Sequence, residues 1–413
     1  METLQLDAVN AFTNSVLDEI VYCQFPEGFE QTGTCLQLLQ ALYGLRRSPL
    51  LWLKEFSSTL IKLGLQQILG QPCLFTNGNI IIFFYVDDIV LLGRESSTLQ
   101  QFKDQLLQHY EMRILGEINW FLGIRIIRDK DQGKLWLCQD SYIEKIATSF
   151  HLEHSKLARI PMNLEELLPY DGKASLQDIY AYQRKVGSLQ YVATITRTDI
   201  ARTTNKLSEF LLNPGPQHQE AINQAISYTY NSRYLAIEYS KEIDQQNTFA
   251  CASDAAFADD LNTRRSTEGY LFKLFGGPID WHSTKQKTVT TSSTEAELLA
   301  LSHAAKETIW WNRLFKEIEL DPGHQPSIDC DNKQTIRLLT TDNPQLTTKL
   351  RHVDIHNHWL RQEVQRGNIH INWIPSAQMP ADGLTKALPR QKHEVFIRQL
   401  GLIDIKNKID HIK

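Results

Sequence analysis

Adjacent acids, Asp87 and Asp88, interrupt an apolar, β-prone stretch at residues 80–93. The simplest backbone for this pattern is a hairpin that carries both carboxylates at its turn. Asp7 likewise interrupts a short strand-like segment, residues 4–12. Three hard oxygen ligands on neighbouring strands could hold two magnesium ions, as phosphoryl transfer between nucleotide oxygens requires. Taken alone, the pair is also consistent with an ordinary turn, because aspartate is common in turns.

A second set of acids lies in the C-terminal part of the chain, where strand-like and helical stretches alternate from residue 248 onward. Strands are predicted at residues 248–253, 269–275, 279–283 and 328–330, and a last helix is predicted to open at Pro380. Each acid taken singly is more often a helix cap or a solvated group. Together they are the set that two magnesium ions need for phosphodiester hydrolysis: Asp254, Glu297, Asp331 and Asp382.

Two glutamates compete for one place in this set. Residues 292–295 read Ser-Ser-Thr-Glu, which fits a capping box and predicts that a helix begins there. Glu295 suits the cap. Glu297 lies one turn from Ala300 and Leu301 on an apolar face, where a carboxylate is costly unless it is paired or bound to metal.

The composition indicates about two to three domains in 413 residues, 42% of them hydrophobic. The longest apolar stretch, residues 80–92, is broken by two acids and is shorter than the roughly 17 to 25 residues of a membrane helix. Six scattered cysteines and no cationic, hydrophobic leader predict an intracellular protein, cytoplasmic or nuclear. The net charge of −5 argues modestly against nucleic-acid binding, but local basic groups could still form a phosphate track: Arg46, Arg47, Arg264, Arg265 and residues 390–392.

Helices are predicted between the two acid sets. One runs from Pro49 to Gly64, with apolar positions at Leu50, Leu53, Phe56, Leu60 and Leu63, and a second covers residues 96–110. Residues 120–127 alternate as a strand. After a polar loop, further helices are predicted at residues 180–194 and 198–212.

These blocks resemble the copia-type branch of LTR retrotransposon Pol polyproteins. The matching motifs cover nearly the whole chain: residues 7–12, 26–29, 42–49, 85–88, 120–124, 187–191, 196–200, 263–267, 292–297, 331–332 and 381–386. The resemblance implies a multidomain α+β and α/β fold. It places a reverse transcriptase palm and primer-grip region at residues 1–150, a helical connection at 151–245, and an RNase H-like mixed sheet with helices at 246–413.

The resemblance also implies RNA-directed DNA polymerase and ribonuclease H activities, with two Mg²⁺ ions per site and Mn²⁺ as an alternative. The implied metal ligands are Asp7, Asp87 and Asp88 in the polymerase and the four C-terminal acids in the nuclease. Implied contacts to nucleotide or nucleic acid are Phe12, Tyr43, Gly44, Arg264 and Arg265. The implied partners are an RNA template, a DNA primer, an RNA/DNA heteroduplex and dNTPs, without a membrane; the sequence does not indicate an oligomeric state.

Phe12 matches the aromatic residue that stands under the incoming sugar in this family. A flat apolar ring there would clash with a ribose 2′-hydroxyl and offer it no hydrogen bond. The alternative is an ordinary core aromatic. Gly44 would let the backbone approach the primer strand closely.

Only six residues precede Asp7, whereas the family carries a fingers subdomain upstream. We therefore expect a polyprotein fragment, without protease or integrase, whose polymerase activity is weak or absent. Because all four C-terminal acids lie beyond residue 245, we also expect residues from about 245 onward to fold alone and act as a nuclease. The rival hypotheses are a catalytically silent remnant and a nuclease-only protein that binds nucleic acid. His352 and His356 could share a zinc ion, but no third ligand is evident, and we interpret their segment as a structural or nucleic-acid-facing helix.

Overall fold

The computed structural model describes residues 1–29, 31–244, 248–325, 327–341, 348 and 350–410. The chain forms two compact units. The first comprises Met1–Phe121 with Arg313–Leu320, and the second comprises Leu122–Asn312 with Asp321–Lys413. The expected divisions at residues 150 and 245 coincide with neither boundary, and the division into three functional regions stays a prediction.

The first unit is built on one antiparallel sheet with helices packed against it. Its strands are β1 (Glu2–Ala8), β2 (Val16–Cys23), β3 (Leu36–Gln40), β4 (Gln66–Gln67), β5 (Leu74–Thr76), β6 (Ile80–Tyr85), β7 (Asp88–Gly93), β8 (Met112–Gly116) and β9 (Trp120–Phe121), and its helices are α1 (Ser48–Lys62) and α2 (Ser96–Leu107). The main sheet has the order β4-β5-β6-β7-β1-β8, and β2 pairs separately with β3.

The predicted hairpin around the acid pair is confirmed. Strands β6 and β7 are antiparallel, with Tyr85 opposite Asp88, so that Val86 and Asp87 form the turn. Val86 has a φ of 58°, which is strained for a β-branched residue. The apolar residues of both strands pack into the core, and the hairpin therefore holds the acids on a rigid tip.

Helix α1 is also confirmed, with Pro49 in its first turn and Gly64 at a φ of 89° just beyond its end. The prediction that Leu50 belongs to the buried face of α1 is wrong. Leu50 is 46% exposed, and Leu51 and Trp52 are buried in its place. Helix α2 ends at Leu107, three residues before the expected end at residue 110.

The second unit contains two sheets. Its strands are β10 (Ile124–Asp129), β11 (Lys134–Cys138), β12 (Leu235–Ser240), β13 (Phe249–Ala256), β14 (Thr267–Leu274), β15 (Gly277–Lys285), β16 (Ser327–Cys330), β17 (His370–Trp373) and β18 (Leu402–Asp404). Its helices are α3 (Asp140–Ser149), α4 (Leu176–Ile195), α5 (Ala201–Ser208), α6 (Pro216–Asn231), α7 (Ser293–Glu317), α8 (Lys333–Thr340), α9 (Arg351–Gln365), α10 (Asp382–Thr385), α11 (Arg390–Leu400) and α12 (Lys406–Asp410).

The strand predicted at residues 120–127 is interrupted. Strand β9 ends at Phe121 and β10 begins at Ile124, because Leu122 and Gly123 both have positive φ, at 48° and 77°. The helix predicted at residues 198–212 is likewise a short 3-10 turn, Thr198–Ile200, followed by α5.

The C-terminal strands form a mixed sheet of the order β15-β14-β13-β16-β17. Strands β13, β14 and β15 are antiparallel neighbours, and β13, β16 and β17 are parallel neighbours. The strands predicted from residue 248 onward are thus confirmed. The helix at residue 382 is present, but α11 and α12 follow it, so it is not the last.

The expectation that residues from about 245 fold alone stays a prediction, and contacts across that boundary argue against it. Strand β18 pairs with β12, with Leu402 opposite Ile237, and both side chains lie in one core with Phe396. The indole N–H of Trp281 on β15 donates to the carbonyl of Ala193 at the end of α4, at 2.8 Å. The connecting helices and the C-terminal sheet therefore share a hydrophobic core.

No helix within the described ranges is both long and apolar enough to cross a membrane.

Candidate active sites

The first unit places three predicted acids at one end of its sheet. Asp7 on β1 lies opposite Asp88 on β7, and Asp87 occupies the turn between β6 and β7. The N–H of Ala8 donates to the carbonyl of Asp87 at 2.9 Å, and the indole N–H of Trp52 donates to the carbonyl of Val86 at 2.6 Å. These bonds fix the turn against both β1 and α1.

The electrostatics of this tip favour a bound cation. Burial raises the pKa of Asp88, and the charges of Asp87 and Asp7 raise it further. The guanidinium of Arg113 lies 3.7 Å from Asp7, where it offsets part of that charge. Across the described residues, the oxygens of these three acids do not all gather within 4.8 Å, so the group is looser than the second one described below.

The residues expected to contact nucleotide lie beside this tip. Phe12 is 7% exposed in the core of the first unit, and its ring centroid lies 4.4 Å from that of Tyr43, which is 51% exposed. Burial raises the pKa of Tyr43, and the charge of Asp87 adds to the effect. Gly44 has a φ of 95°, which suits glycine. Sugar selection by Phe12 stays a prediction.

The second unit gathers three acids more tightly. Each of Asp254, Glu297 and Asp331 offers a carboxylate oxygen within 4.8 Å of the others. Strand pairing brings Asp254 and Asp331 together. Cys251 on β13 pairs in parallel with Ile328 on β16, and Asp254 and Asp331 each follow three residues later. The parallel strands therefore deliver both carboxylates to the same edge of the sheet.

One carboxylate oxygen of Glu297, Oε2, is buried and has no hydrogen-bond partner among the described residues. Burial raises the pKa of its carboxyl well above the usual range, and the charges of Asp254 and Asp331 raise it further. An acceptor without a donor beside two like charges is costly. A hard divalent cation that prefers carboxylate oxygens fits this group.

Asp382 lies beside this group rather than within it. Its carboxylate bonds the ammonium of Lys386. That ammonium also lies 3.5 Å from Asp254 Oδ2, and the hydroxyl of Thr385 donates to Asp254 Oδ2. Burial raises the pKa of Asp254, whereas Lys386 lowers it. The pKa of Lys386 is raised on balance, because the two carboxylates outweigh its own burial.

Lys386 and Thr385 were assigned no role from the sequence, although both lie in the motif at residues 381–386. Their spacing of three and four from Asp382 is the signal that could have found them, because it places them one helical turn away.

The structure also separates the two competing glutamates. Glu295 accepts hydrogen bonds from the backbone N–H of Thr291 at 2.7 Å and from its hydroxyl at 2.8 Å. Its own N–H donates to Ser292 Oγ at 3.2 Å, which completes a cap at the start of α7. Glu295 is thus engaged at the helix end, while Glu297 points into the acid group.

Arg264 and Arg265 are exposed in the segment between β13 and β14. Arg264 has a φ of 55°. Their contact with nucleic acid stays a prediction. His352 lies 3.1 Å from Thr288 Oγ1 and His356 lies 2.7 Å from Ser302 Oγ, and in the described part of the chain neither belongs to a metal-binding cluster.

The chain is similar in sequence to a known protein family and to several transposon proteins. A family profile described as Reverse transcriptase (RNA-dependent DNA polymerase) matches residues 2–164. The putative transposon Ty5-1 protein of Saccharomyces cerevisiae is 31% identical over 310 residues, which cover 73% of this chain and all of that protein. The chain belongs to the copia-type retrotransposon Pol family.

Longer members of the copia-type family match almost the whole chain. The retrovirus-related Pol polyprotein from transposon TNT 1-94 of Nicotiana tabacum is 32% identical over 97% of this chain, but the match spans only 31% of that polyprotein. The structure of a foamy viral protease-reverse transcriptase in complex with an RNA/DNA hybrid overlaps 94% of this chain and 45% of its own, with 16% identity and a TM-score of 0.48.

Proposed function

We propose that the second unit hydrolyses the RNA strand of an RNA/DNA hybrid with the help of divalent metal ions. The observation that carries this proposal is the group formed by Asp254, Glu297 and Asp331, in which a buried Glu297 oxygen has no donor. Family membership supports the choice of substrate. Mg²⁺ is the ion we propose, because carboxylate oxygens are its preferred protein ligands.

The proposed ligands are the three clustered acids together with Asp382. When bound, the ions would supply a Lewis acid and a source of nucleophilic hydroxide at neutral pH. The chain itself holds the carboxylates in place: β13 and β16 fix two of them, and the cap at Glu295 fixes the start of the helix that carries Glu297. Lys386 balances Asp254 and Asp382 and supplies a fixed positive charge beside the group.

We also propose that the first unit serves RNA-templated DNA synthesis. Two observations support this proposal. Asp7 on β1 lies opposite Asp88 on β7, with Asp87 at the adjacent turn, and the chain matches the reverse transcriptase family profile. Phe12, Tyr43 and Gly44 are the proposed contacts to primer and incoming dNTP. In this proposal residues 1–150, 151–245 and 246–413 act as polymerase, connection and nuclease.

One pair of assays tests the nuclease half of the proposal, with primer extension as its control. The full chain is incubated with Mg²⁺ and a heteroduplex labelled on its RNA strand, and separately with a primed RNA template and dNTPs. Asp254→Asn keeps the side-chain shape but discards an anionic ligand, so it should abolish RNA cleavage and leave primer extension as in the parent. RNA cleavage by Asp254→Asn at the rate of the parent would contradict the nuclease assignment.

A further inference from the structure

Arg202 links the connecting helices to the acid group. It lies on α5, and its side chain is only 12% exposed. Its Nε donates to the carbonyl of Thr385 at 3.1 Å, and its Nη2 donates to Asp259 Oδ2 at 3.3 Å. One guanidinium therefore holds two segments that are far apart in the sequence.

Both segments lead directly to the proposed metal ligands. Thr385 donates its hydroxyl to Asp254, and the next residue, Lys386, bonds Asp382. Asp259 accepts from the N–H and the hydroxyl of Thr267, both at 2.8 Å, at the first residue of β14. Strand β14 in turn pairs with β13 along the length that carries Asp254.

The position of α5 is itself fixed by a buried polar network. Asp199, just before α5, accepts from the hydroxyl of Tyr228 at 2.7 Å, and that hydroxyl lies 2.8 Å from His393 Nε2 on α11. All three side chains are buried. The start of α5 therefore cannot shift against α11 without breaking this network, which fixes the place from which Arg202 reaches Thr385.

The neighbouring cations are used differently. Lys285 bonds Glu209 and Asp260, and Lys206 lies within ion-pair distance of the same two acids. Arg202 contacts the backbone carbonyl of Thr385. A planar guanidinium suits this task, because it can hold a carbonyl and a carboxylate at the same time.

We propose that Arg202 is a positioning residue of the nuclease centre, supplied from outside the region that the sequence assigns to the nuclease. It holds the Thr385 carbonyl, and through it the orientation of Thr385 and Lys386 against Asp254. The inference deepens the proposed nuclease function and rests on it.

The test compares Arg202→Ala, Arg202→Lys and the exposed control Arg159→Ala in the full chain. Removing a side chain that orients a metal ligand typically lowers activity or metal affinity by roughly 10- to 100-fold. We expect Arg202→Ala to lower kcat on the labelled heteroduplex by that factor while KM stays within about twofold, because substrate contacts are untouched. Arg202→Lys should recover part of the loss, since an ammonium can hold one of the two partners.

A second readout does not depend on catalysis. Mn²⁺ binding, followed by electron paramagnetic resonance of the free ion, should weaken in Arg202→Ala and stay at the parent value in Arg159→Ala. Parent kcat and parent Mn²⁺ affinity in Arg202→Ala would overturn the proposal. If Arg202→Ala does not fold, the same two values at the parent level in Arg202→Lys would overturn it.

Asp254→Asn and the parent serve as reference points. A parent that binds Mn²⁺ but cleaves no RNA would contradict the proposed function, while the Mn²⁺ comparison would still decide the role of Arg202. A parent that cleaves, with an inactive Asp254→Asn and a fully active Arg202→Ala, would contradict the role of Arg202 alone.

Discussion

The ammonium of Lys386 lies 3.5 Å from Asp254 Oδ2 and also bonds Asp382, so one cation serves two of the proposed metal ligands. Asp254 is 1% exposed, whereas the lysine side chain is 45% exposed. The charge of Lys386 thus partly balances carboxylates that repel one another.

Replacing this lysine should make the fold depend on metal. Lys386→Gln leaves a buried carboxylate without its cation, and we expect a loss of about 1 to 2 kcal/mol in the free energy of unfolding in metal-free buffer, less than for a fully buried pair because the lysine is solvated. Added Mg²⁺ should restore more stability in the variant than in the parent. Urea unfolding with and without Mg²⁺ measures both effects.

Lys145→Gln, an exposed lysine on α3, is the matched control and should behave as the parent. Equal stability of Lys386→Gln and the parent in metal-free buffer would show that Lys386 does not balance these acids.

A second prediction concerns the ion pair between Arg197 and Asp199. Two hydrogen bonds of 2.8 Å join their side chains, and both side chains are fully buried. Asp199→Asn leaves the guanidinium without a counter-charge, and breaking a buried pair in this way costs about 3 to 5 kcal/mol. Urea unfolding at pH 7 should show this loss, and the exposed Asp171→Asn should not.

The ion pair between Arg197 and Asp199 also determines how the free energy of unfolding changes with pH. Burial raises the pKa of Asp199, but the charge and hydrogen bonds of Arg197 outweigh it, so the net pKa is lowered. The stability from this pair is therefore present above the unfolded pKa of about 3.9 and is lost as the pH falls through the lower folded value. Parent and Asp199→Asn should differ equally at pH 5 and pH 7 and converge in stronger acid; a difference that disappears between pH 7 and pH 5 would contradict this account.

A third prediction follows from the shared core. A fragment of residues 245–413 lacks β12, so Leu402 and Phe396 lose Ile237 as a partner. We expect this fragment to unfold without a cooperative transition, while a fragment of residues 122–413 keeps the shared core and unfolds cooperatively. Circular dichroism during thermal unfolding distinguishes the two, and a cooperative transition in the shorter fragment would show that the core divides at residue 245.

Short sequence patterns predicted much of the local structure. The acid pair between two apolar runs predicted the β6–β7 turn, and Ser292 with Glu295 predicted the start of α7, because a turn and a cap are decided within a few residues. Asp254, Asp331 and Asp382 each stand at the end or start of a predicted element, whereas Glu297 follows from the family resemblance.

The long-range relationships were beyond the sequence. Strand β18 pairs with β12 across more than 160 intervening residues, and no local pattern specifies that partner. Arg197 and Asp199 lie in the motif at residues 196–200, to which the sequence assigns no ion pair, yet tertiary packing buries both side chains completely. The contact between Arg202 and Thr385 depends on the same packing and therefore emerged only from the structure.

The most direct test of the central claim compares two glutamates that lie two residues apart on α7. Single-turnover cleavage of a labelled RNA/DNA heteroduplex in Mg²⁺ is measured for the parent, Glu297→Gln and Glu295→Gln. We predict a loss of about 100-fold or more for Glu297→Gln, because a proposed ligand is removed, and a loss of less than about tenfold for Glu295→Gln, which weakens only a cap. Parent-like cleavage by Glu297→Gln, or a loss as severe in Glu295→Gln as in Glu297→Gln, would contradict the assignment of this acid group as the nuclease centre.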